Sequence, residues 1–458
     1  MALHTRHTDD MHRPLPDIAR TATARGSTLI RELVEIQRYQ VTEEKCTDFV
    51  EELECLYVPG RRPEYTSGTQ QHLKRRIINA FEEHRYIAVS YTWQASPYES
   101  DTHDGNGNTQ TPVSMTPTII TDLTSRDLKS NWDRLPIAAN CCLHSVRLNS
   151  IKLRKQGRSL SLALLAQYLL NGEILENHPE YGLNVETAHF PIASFLKQQC
   201  FYGLRSPSAS YGLSYNKGCR FVDVRLRQEG IQTKGHLWKV DALIPSDTFL
   251  REPRFSRPPS TKVQLKRLAN ELRSHYQSSP IPRQLRQFVD ELNKKKMPFA
   301  MQWKLHMAEY VIDSIRNSKT LCTARLLGAQ PGCAIFVVEC DGDEYGPHPG
   351  DRPRSPEIGY TDSETSWSSC CDSDQSSEDT MGGSAPDDLN YIFTSFQPGE
   401  ELDRHVSMEV DSQDLNGHKN HRQPPRLYAK RWINGLCFFD GSPRQDVIFP
   451  WPPAIRNM

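Results

Sequence analysis

Apolar and polar side chains alternate over residues 86–93, where every second position carries a large apolar side chain. A period of two is typical of a β-strand whose two faces differ. Just upstream, apolar residues at helical spacing over 71–81 predict an amphipathic helix, and residues 29–57 predict an earlier helical stretch that could pack beside it. This part of the chain therefore predicts a helix that leads directly into a strand.

A second pattern covers residues 160–170, where nearly every position is apolar. A helix that is apolar on all sides is buried. Ser159 before the run suits an N-cap, and Asn171-Gly172 after it supplies a left-handed stop. We therefore expect a buried helix here, because the run is about half as long as the roughly 20 residues that a membrane span needs.

From residue 219 onward the period of two returns and predicts two β-hairpins. The first pairs residues 222–226 with 231–240, and the second pairs 321–328 with 333–340. Between the hairpins, apolar stripes at helical spacing predict three amphipathic helices. These stripes begin at Leu265, Leu285 and Trp303. Three further strands should join the hairpins in one antiparallel sheet or barrel, and they cover residues 391–396, 431–440 and 447–451.

The composition suits a protein of the cytosol. The 458-residue chain has a formal net charge of -1, a mean hydropathy of -0.63 and 12 cysteines. Cysteines this sparse do not form a disulfide scaffold, and adjacent pairs are not spaced as metal ligands. Residues 1–25 lack the apolar block of a secretory signal. We therefore expect a cytoplasmic protein without membrane contact.

Charge is segregated along the chain. Residues 251–306 carry 13 Lys or Arg against 4 Asp or Glu, a net +9, whereas residues 341–380 carry 2 against 11, a net -9. One interpretation is a solvated basic helical face with a separate acidic loop. Another is an intramolecular contact in which the acidic segment covers the basic one. Nucleic-acid binding is a third, which we do not favour because no reader motif accompanies the basic region.

The acidic segment contains a serine-rich tract. Residues 361–380 include seven serines, six Asp or Glu and no basic residue. Such a composition cannot bury enough apolar surface to become ordered. Ser369 and Ser376 each have an acidic residue three positions later, a pattern that acidophilic kinases favour. They are the candidate phosphorylation sites, although an acidic serine tract can show this spacing by chance.

Signatures of common catalytic sites are missing from the sequence. It has no Gly-x-Ser-x-Gly elbow, no phosphate-binding loop, no Cys-x-x-Cys pair and no His-Glu-x-x-His helix. Three histidines, His4, His7 and His12, lie close together, but histidines at a chain terminus are most often simply solvated. We therefore expect no metal site and no cofactor.

Residues 86–93 spell Tyr-Ile-Ala-Val-Ser-Tyr-Thr-Trp. This octapeptide resembles the opening motif, Tyr-x-Ala-Leu-Ser-Tyr-x-Trp-Gly, of the heterokaryon-incompatibility (HET) domain family of filamentous fungi. Val89 stands in place of the family's Leu, and Gln94 in place of its final Gly. The positions that match the motif are Tyr86, Ala88, Ser90, Tyr91 and Trp93.

Three later stretches look like the C-terminal part of large HET proteins. They are residues 131–136 with 139–142, residues 169–174, and residues 218–223 with 234–238. Two other family motifs have no counterpart here. These are a second strand, Trp-Ile-Asp-x-x-Cys-Ile-x-Gln, and an Arg-x-Trp-x-x-Gln-Glu stretch. The resemblance therefore implies a HET protein that lacks the central part of the domain, through deletion or a gene-model error.

The resemblance implies a recognition or signalling role in heterokaryon incompatibility (self/nonself recognition) and programmed cell death, exerted on a protein partner. The HET domain has been likened to the TIR domain, of which some members cleave NAD, so an NAD-cleaving enzyme is the alternative. That reaction needs a carboxylate to stabilise an oxocarbenium-like ribose. Glu99 and Glu173 are the candidates. We favour the non-enzymatic role, and a nonfunctional remnant is a third interpretation.

Patterns and resemblance together predict an α+β protein. A helical N-terminal part with a remnant α/β (TIR-like) strand should precede an antiparallel β-rich domain with inserted helices. The expected divisions are a disordered N-terminus (1–25), a truncated HET-like segment (26–117), a helical segment (118–218), β-hairpins with inserted helices (219–340), an acidic disordered insert (341–388) and C-terminal strands that complete the β domain (389–458).

Overall fold

The structure is a computed structural model, and every structural statement below concerns the residues that it describes. These are residues 10–41, 53–57, 74–78, 115–125, 128, 130–142, 144–179, 189–199, 220–244, 260–275, 279–292, 299–317, 319–328, 332–338, 391–396, 406–412, 414–415, 423–439 and 441–458.

The helices form two groups along the chain. The first group precedes the large sheet and comprises α1 (Leu15–Thr23), α2 (Leu29–Ile36), α3 (Met115–Ser125), α4 (Arg134–Cys141), α5 (Ser150–Lys155), α6 (Leu160–Leu170) and α7 (Ile192–Gln199). The second group is inserted between two strands of the sheet and comprises α8 (Thr261–His275), α9 (Ile281–Glu291) and α10 (Phe299–Arg316). A short helix, α11 (Pro453–Arg456), follows the last strand.

Thirteen strands are described. Four belong to two small antiparallel pairs, in which β1 (Gln40–Val41) pairs with β4 (Arg147–Leu148) and β2 (Leu53–Tyr57) pairs with β3 (Lys74–Ile78). The others form one nine-stranded antiparallel sheet made of β5 (Arg225–Leu226), β6 (Gly230–Ile244), β7 (Leu321–Leu326), β8 (Cys333–Val337), β9 (Tyr391–Ser395), β10 (Val406–Asp411), β11 (Tyr428–Trp432), β12 (Asn434–Phe438) and β13 (Gln445–Pro450).

The large sheet closes on itself. Its main path runs β11-β10-β9-β6-β7-β8-β12, while β5 and β13 pair with the first half of β6. The two ends of this path, β11 and β12, are separated by Ile433 alone, whose N–H donates to the Ser407 carbonyl at 3.1 Å. One nearly continuous stretch therefore pairs with β10 through its first half and with β8 through its second half. The sheet forms a barrel in this way, which leaves few unpaired edges.

Two hydrophobic cores pack against the sheet, and they lie on opposite faces of β6 and β9. On β6, Leu237 belongs to the core shared with the first group of helices, whereas its neighbour Trp238 belongs to the core shared with α8–α10. On β9, Phe393 and Ile392 divide in the same way. Because successive side chains of a strand point to opposite faces, the apolar residues of these strands serve both cores.

The buried helix that the sequence predicts over 160–170 is confirmed as α6. All of its residues are buried, and the Ser159 hydroxyl accepts a hydrogen bond from the Leu162 N–H at the N-terminus. Each fully buried leucine stabilises the fold by about 1.5–3 kcal/mol. The two predicted hairpins are also confirmed, as β5–β6 and β7–β8, and the three predicted helices between them are α8, α9 and α10.

The prediction for the α+β class is confirmed in its coarse form, because the chain mixes helices with an antiparallel sheet of nine strands. The C-terminal strands join the hairpins in that sheet, as predicted. The TIR-like strand and the helical N-terminal part stay predictions, since residues 86–93 lie outside the described residues. None of the described helices has the length and the apolar surface that a membrane crossing requires.

Two local predictions are wrong. The amphipathic helix over 71–81 is not found, because Lys74–Ile78 form β3 instead. The helix expected over 29–57 ends at Ile36, and Leu53–Tyr57 form the partner strand β2. A short stretch with two adjacent isoleucines satisfies both the helical and the strand pattern, and the available partner strand decides between them.

The N-terminal region also differs from the prediction. Disorder was expected over residues 1–25, but Leu15–Thr23 form α1. Leu15, Ile18 and Ala19 are buried in the first core. Although the composition of this region is polar, its apolar residues lie at helical spacing. They belong to the same core as the apolar residues of α2 and α6.

Candidate functional site

The residue that the sequence singles out as a carboxylate candidate, Glu173, lies in a buried connector at the end of α6. This connector, residues 171–178, is called the strap, and all eight of its residues are buried. Its second residue, Gly172, has φ +83° and lies so close to Phe221 that a Cβ atom would sit 2.0 Å from the Phe221 carbonyl oxygen. The Phe221 N–H donates to the Gly172 carbonyl at 2.7 Å. Only glycine fits this left-handed turn and close approach.

The carboxylate of Glu173 accepts hydrogen bonds from Arg220 and Thr116. Arg220 Nε donates to Glu173 Oε1 at 2.9 Å, and the Thr116 hydroxyl donates to the same oxygen at 2.7 Å. The Arg220 side chain also donates through Nη2 to the Cys142 carbonyl at 2.9 Å. Thr116, Cys142, Glu173 and Arg220 are called the Glu173 cluster. The two charged side chains are 3% and 2% exposed, so the ion pair is inaccessible to solvent.

The Cys142 thiol lies beside this ion pair but is not activated by it. Burial, together with the charge of Glu173, raises the pKa of Cys142 to about 12. A thiol with such a pKa stays protonated near neutral pH, and the thiol form is not the nucleophile. The charge of Arg220 acts in the opposite direction but does not overcome the burial. Cys142 therefore belongs to the packing of the cluster.

The far end of the strap contacts the barrel. The Asn177 amide donates to the carbonyls of Leu427, at 3.0 Å, and Pro450, at 3.3 Å, and accepts from the Ala429 N–H at 2.9 Å. These three groups belong to or flank β11 and β13. In the middle of the strap, the Glu176 N–H donates to the Gln199 carbonyl at the end of α7, at 2.9 Å.

The strap ends in a charged network at the barrel surface. His178 Nε2 lies 3.1 Å from Asp411 Oδ2, and Lys430 Nζ lies 3.6 Å from Asp411 Oδ1. Lys430 also reaches Glu409, at 3.1 Å, and Arg431 Nε reaches the same carboxylate at 2.6 Å. Burial on its own would raise the pKa of Asp411, but the hydrogen bond from His178 and the charge of Lys430 lower it overall.

The strap therefore joins the first group of helices to the barrel through buried polar contacts. A buried polar group costs free energy unless it is hydrogen-bonded. Since these contacts involve the ends of α4 and α7 on one side and of β11 and β13 on the other, the strap fixes how the two parts sit against each other. Because the Glu173 carboxylate is already hydrogen-bonded and buried, this arrangement supports a structural role, in which the cluster holds the strap in place.

Three stretches that are far apart in the sequence meet at this cluster. Residues 131–142 supply the Cys142 carbonyl, residues 169–174 supply Glu173, and residues 218–238 supply Arg220. The sequence identified Glu173 but attached no role to Arg220, Thr116 or Asn177. An arginine directly before the apolar pair Phe221-Val222 is the sequence signal that could have pointed to a buried ion pair.

Several predicted residues lie outside the part of the chain that the structure describes. They are the family-motif residues Tyr86, Ala88, Ser90, Tyr91 and Trp93, the carboxylate candidate Glu99, and the candidate phosphorylation sites Ser369 and Ser376.

A small cavity lies beside the N-terminal end of α6. Between α1, α2 and α6 there is a cavity of about 20 Å³, lined in part by Asp10, Arg13, Arg25 and Glu32. That volume holds about one water molecule. Within the same described ranges, no group of three or more His, Cys, Asp or Glu side chains is arranged to hold a metal ion.

Comparison of the chain with protein-family models, with curated proteins and with solved structures found no match.

Proposed function

We propose that this chain is a HET-family protein with a recognition or signalling role in heterokaryon incompatibility and programmed cell death. It acts in the cytoplasm through contacts with a protein partner. The observation that carries the proposal is the sequence resemblance of residues 86–93 to the opening motif of that family. Three further stretches of resemblance supply Cys142, Glu173 and Arg220, which lie together in the Glu173 cluster.

The geometry of Glu173 favours this role over NAD cleavage. A carboxylate that stabilises an oxocarbenium-like ribose must face the substrate. Glu173 is instead buried, and its Oε1 atom accepts hydrogen bonds from Arg220 and Thr116. Opening the pair would leave both charges without their partners, at a cost of about 3–5 kcal/mol.

The partner in this proposal is a protein, with neither a nucleic acid nor a membrane as the target. The proposal includes a contact between the basic residues 251–306 and the acidic residues 341–380. Such a contact would regulate access to the basic surface.

Expression of the full chain from a regulated promoter in a filamentous fungus tests the proposed function. Induction of the full chain should arrest growth and raise the fraction of cells stained by a vital dye. The variant Tyr91→Ala/Trp93→Ala should lose the effect, and immunoblotting shows whether it accumulates to the same level. The proposal would be overturned if cells that accumulate the unchanged protein to the same level as the variant grow as fast as uninduced cells.

A parallel assay on the purified chain separates the enzyme alternative. Incubation with NAD should release no nicotinamide. If nicotinamide is released, and Glu99→Gln or Glu173→Gln abolishes the release, the chain is an NAD-cleaving enzyme and the proposal fails.

A further inference from the structure

The first group of helices carries a strongly basic surface. The described residues 10–41 and 144–159 contain ten Lys or Arg and four Asp or Glu, a net +6. Two of these four acidic side chains are buried and the other two are half-buried. Seven of the cations are exposed, and one of them, Arg20, pairs with Asp17. The other six exposed cations are Arg25, Arg31, Arg38, Lys152, Arg154 and Lys155.

The acidic side chains of these two ranges offset the exposed cations only weakly, because they have partners inside the protein. Arg158 Nη1 donates to Glu32 Oε2 at 2.6 Å, and Arg158 Nη2 donates to Glu35 Oε2 at 2.9 Å. The carboxylate of Asp10 accepts a hydrogen bond from the Ser161 N–H at 2.9 Å. The surface therefore stays positive.

Contacts between α2 and the end of α5 bring the exposed cations onto one surface. Arg158, which follows α5, pairs with Glu35 of α2, and Arg31 Nε lies 3.8 Å from the other oxygen of that carboxylate. Arg25, in the turn before α2, donates through Nη1 to the Gly157 carbonyl at 3.5 Å. The turn before α2, α2 itself and the turn after α5 therefore share this surface.

An apolar side chain lies among these cations. Ile151 of α5 is 65% exposed, the largest exposure of a large apolar side chain in the described part of the chain. Leu153 is buried, so α5 packs on the core through Leu153 and presents Ile151 to solvent. Ile151 and the six exposed cations are called the Ile151 face. An apolar contact surrounded by charged side chains is the composition of a protein interface.

This composition favours an acidic protein segment over other polyanions. Four of the six cations are arginines, whose planar guanidinium matches a carboxylate with two parallel hydrogen bonds. A protein segment also supplies apolar side chains that can cover Ile151, whereas phosphate contacts of nucleic acids need only cations. Since α2 is about 12 Å long and α5 about 9 Å, the face suits a short segment and a transient interface.

We propose that the Ile151 face binds a short acidic segment of a partner protein. Carboxylates of that segment pair with the six cations, and an apolar side chain of the segment packs on Ile151. This inference rests on the proposed function, because it names the surface through which the protein contact is made and the chemistry of the partner.

Fluorescence anisotropy of a labelled peptide tests the inference on the full chain at low salt. The peptide consists of Asp and Glu with one central Leu. The variant Lys152→Gln/Arg154→Gln/Lys155→Gln should bind it about tenfold more weakly, the combined effect of three exposed ion pairs. Ile151→Ser should also weaken binding about tenfold, because the apolar contact is lost. In that variant, replacing the peptide's Leu by Ser should change little further.

A matched control uses a second exposed apolar residue beside cations. Val263 of α8 is 42% exposed, and Lys266, Arg273 and Arg283 are exposed on α8 and α9. The variants Val263→Ser and Lys266→Gln/Arg273→Gln/Arg283→Gln should leave the affinity for the peptide unchanged. The proposal is overturned if they weaken binding equally, if Ile151→Ser has no effect or if the unchanged protein does not bind. It is also overturned if duplex DNA or phosphatidylserine vesicles bind more tightly than the peptide.

A charge swap separates loss of the face from loss of folding. The variant Lys152→Glu/Arg154→Glu/Lys155→Glu should bind a peptide of Lys with one central Leu at least about fivefold more tightly than the unchanged protein does. A folded variant, judged by circular dichroism, without that gain would contradict the proposal. If the peptide binds but expression of the chain does not arrest growth, only the proposed function fails. If growth is arrested but the peptide does not bind, only this inference fails.

Discussion

The strap and the second core are equally shielded from solvent, but they are stabilised in different ways. The second core is formed by Trp238, Ile392, Phe336 and other apolar side chains of the barrel and of α8–α10. Five of the eight strap residues, by contrast, are polar or charged, and each is buried. Apolar packing tolerates changes that keep volume and pattern. A buried polar group requires its specific partner, and its loss leaves an uncompensated charge or donor.

This difference indicates distinct tasks for the two regions. Apolar burial is the main favourable contribution to the free energy of folding, but it is non-directional. Hydrogen bonds and ion pairs constrain geometry. Because the strap contacts both the first group of helices and the barrel, its polar residues select one arrangement of the two parts. The following predictions test whether the strap depends on its individual partners as strongly as this comparison requires.

The largest effect is expected for Arg220→Ala. Removal of the guanidinium leaves the Glu173 carboxylate buried without its cation, which should lower the free energy of unfolding by about 3–5 kcal/mol. Urea denaturation followed by circular dichroism measures the loss. The double variant Glu173→Leu/Arg220→Leu removes both charges and should be less destabilised than Arg220→Ala alone.

An exposed ion pair provides the control for this prediction. Arg316 Nη1 lies 2.7 Å from Asp313 Oδ1, and these side chains are 40% and 62% exposed. The loss for Arg316→Ala should stay below about 0.5 kcal/mol. A similar loss of unfolding free energy for Arg220→Ala and Arg316→Ala would show that the Glu173 cluster stabilises the fold no more than a surface ion pair does.

A smaller effect is expected for Asn177→Ala. This change removes one acceptor and two donor contacts to the backbone around β11 and β13, and the carbonyls and the N–H that it leaves are buried. We expect a loss of about 1–3 kcal/mol in the same denaturation experiment. Asn140, which is exposed and accepts from Arg147 Nη1, is the matched control. If Asn140→Ala lowers the free energy of unfolding as much as Asn177→Ala does, the contacts of the strap are no more important for stability than those of an exposed residue.

The strands of the barrel and the helix α6 could largely be predicted from the sequence, because their sequence patterns are local. The period of two over 231–240 predicts β6, and the continuous apolar run over 160–170 predicts α6. These patterns depend only on neighbouring residues and on the burial of one face. The closure of the barrel was left open, because it depends on Ile433 joining strands at opposite ends of the sheet.

The strap could not be predicted, because its partners are remote. Asn177 contacts Leu427 and Pro450, which follow it by 250 and 273 residues. A run such as Asn171-Gly172 followed by Glu176 and His178 has the composition of a surface loop. Only the tertiary fold shows that these residues are buried. For the same reason Glu173 could be identified from the sequence as a candidate, but not as half of an ion pair.

The smallest effect concerns His236, a histidine of β6. Within the described part of the chain it has no ion pair with an acid, whereas His178 of the strap pairs with Asp411. His236 is 3% exposed, stacks on Phe439 with ring centroids 4.1 Å apart, and its Nδ1 atom has no hydrogen-bond partner. Burial, with a contribution from the charge of Arg444, lowers the pKa of His236 to about 4. The unfolded chain has the ordinary histidine pKa of about 6.5.

The sign of the pH dependence follows from these two values. Between about pH 6.5 and pH 4 the unfolded chain binds a proton at this position and the folded chain does not, so stability falls as the pH falls through that window. At pH 5.5 the contribution is about 1 kcal/mol, and at pH 8 it is absent. The variant His236→Phe keeps the stacked ring but cannot titrate. The difference in unfolding free energy between this variant and the unchanged protein should therefore shift in favour of the variant as the pH falls from 8 to 5.5. A difference that is constant with pH would mean that the pKa of His236 is the same in the folded and the unfolded chain.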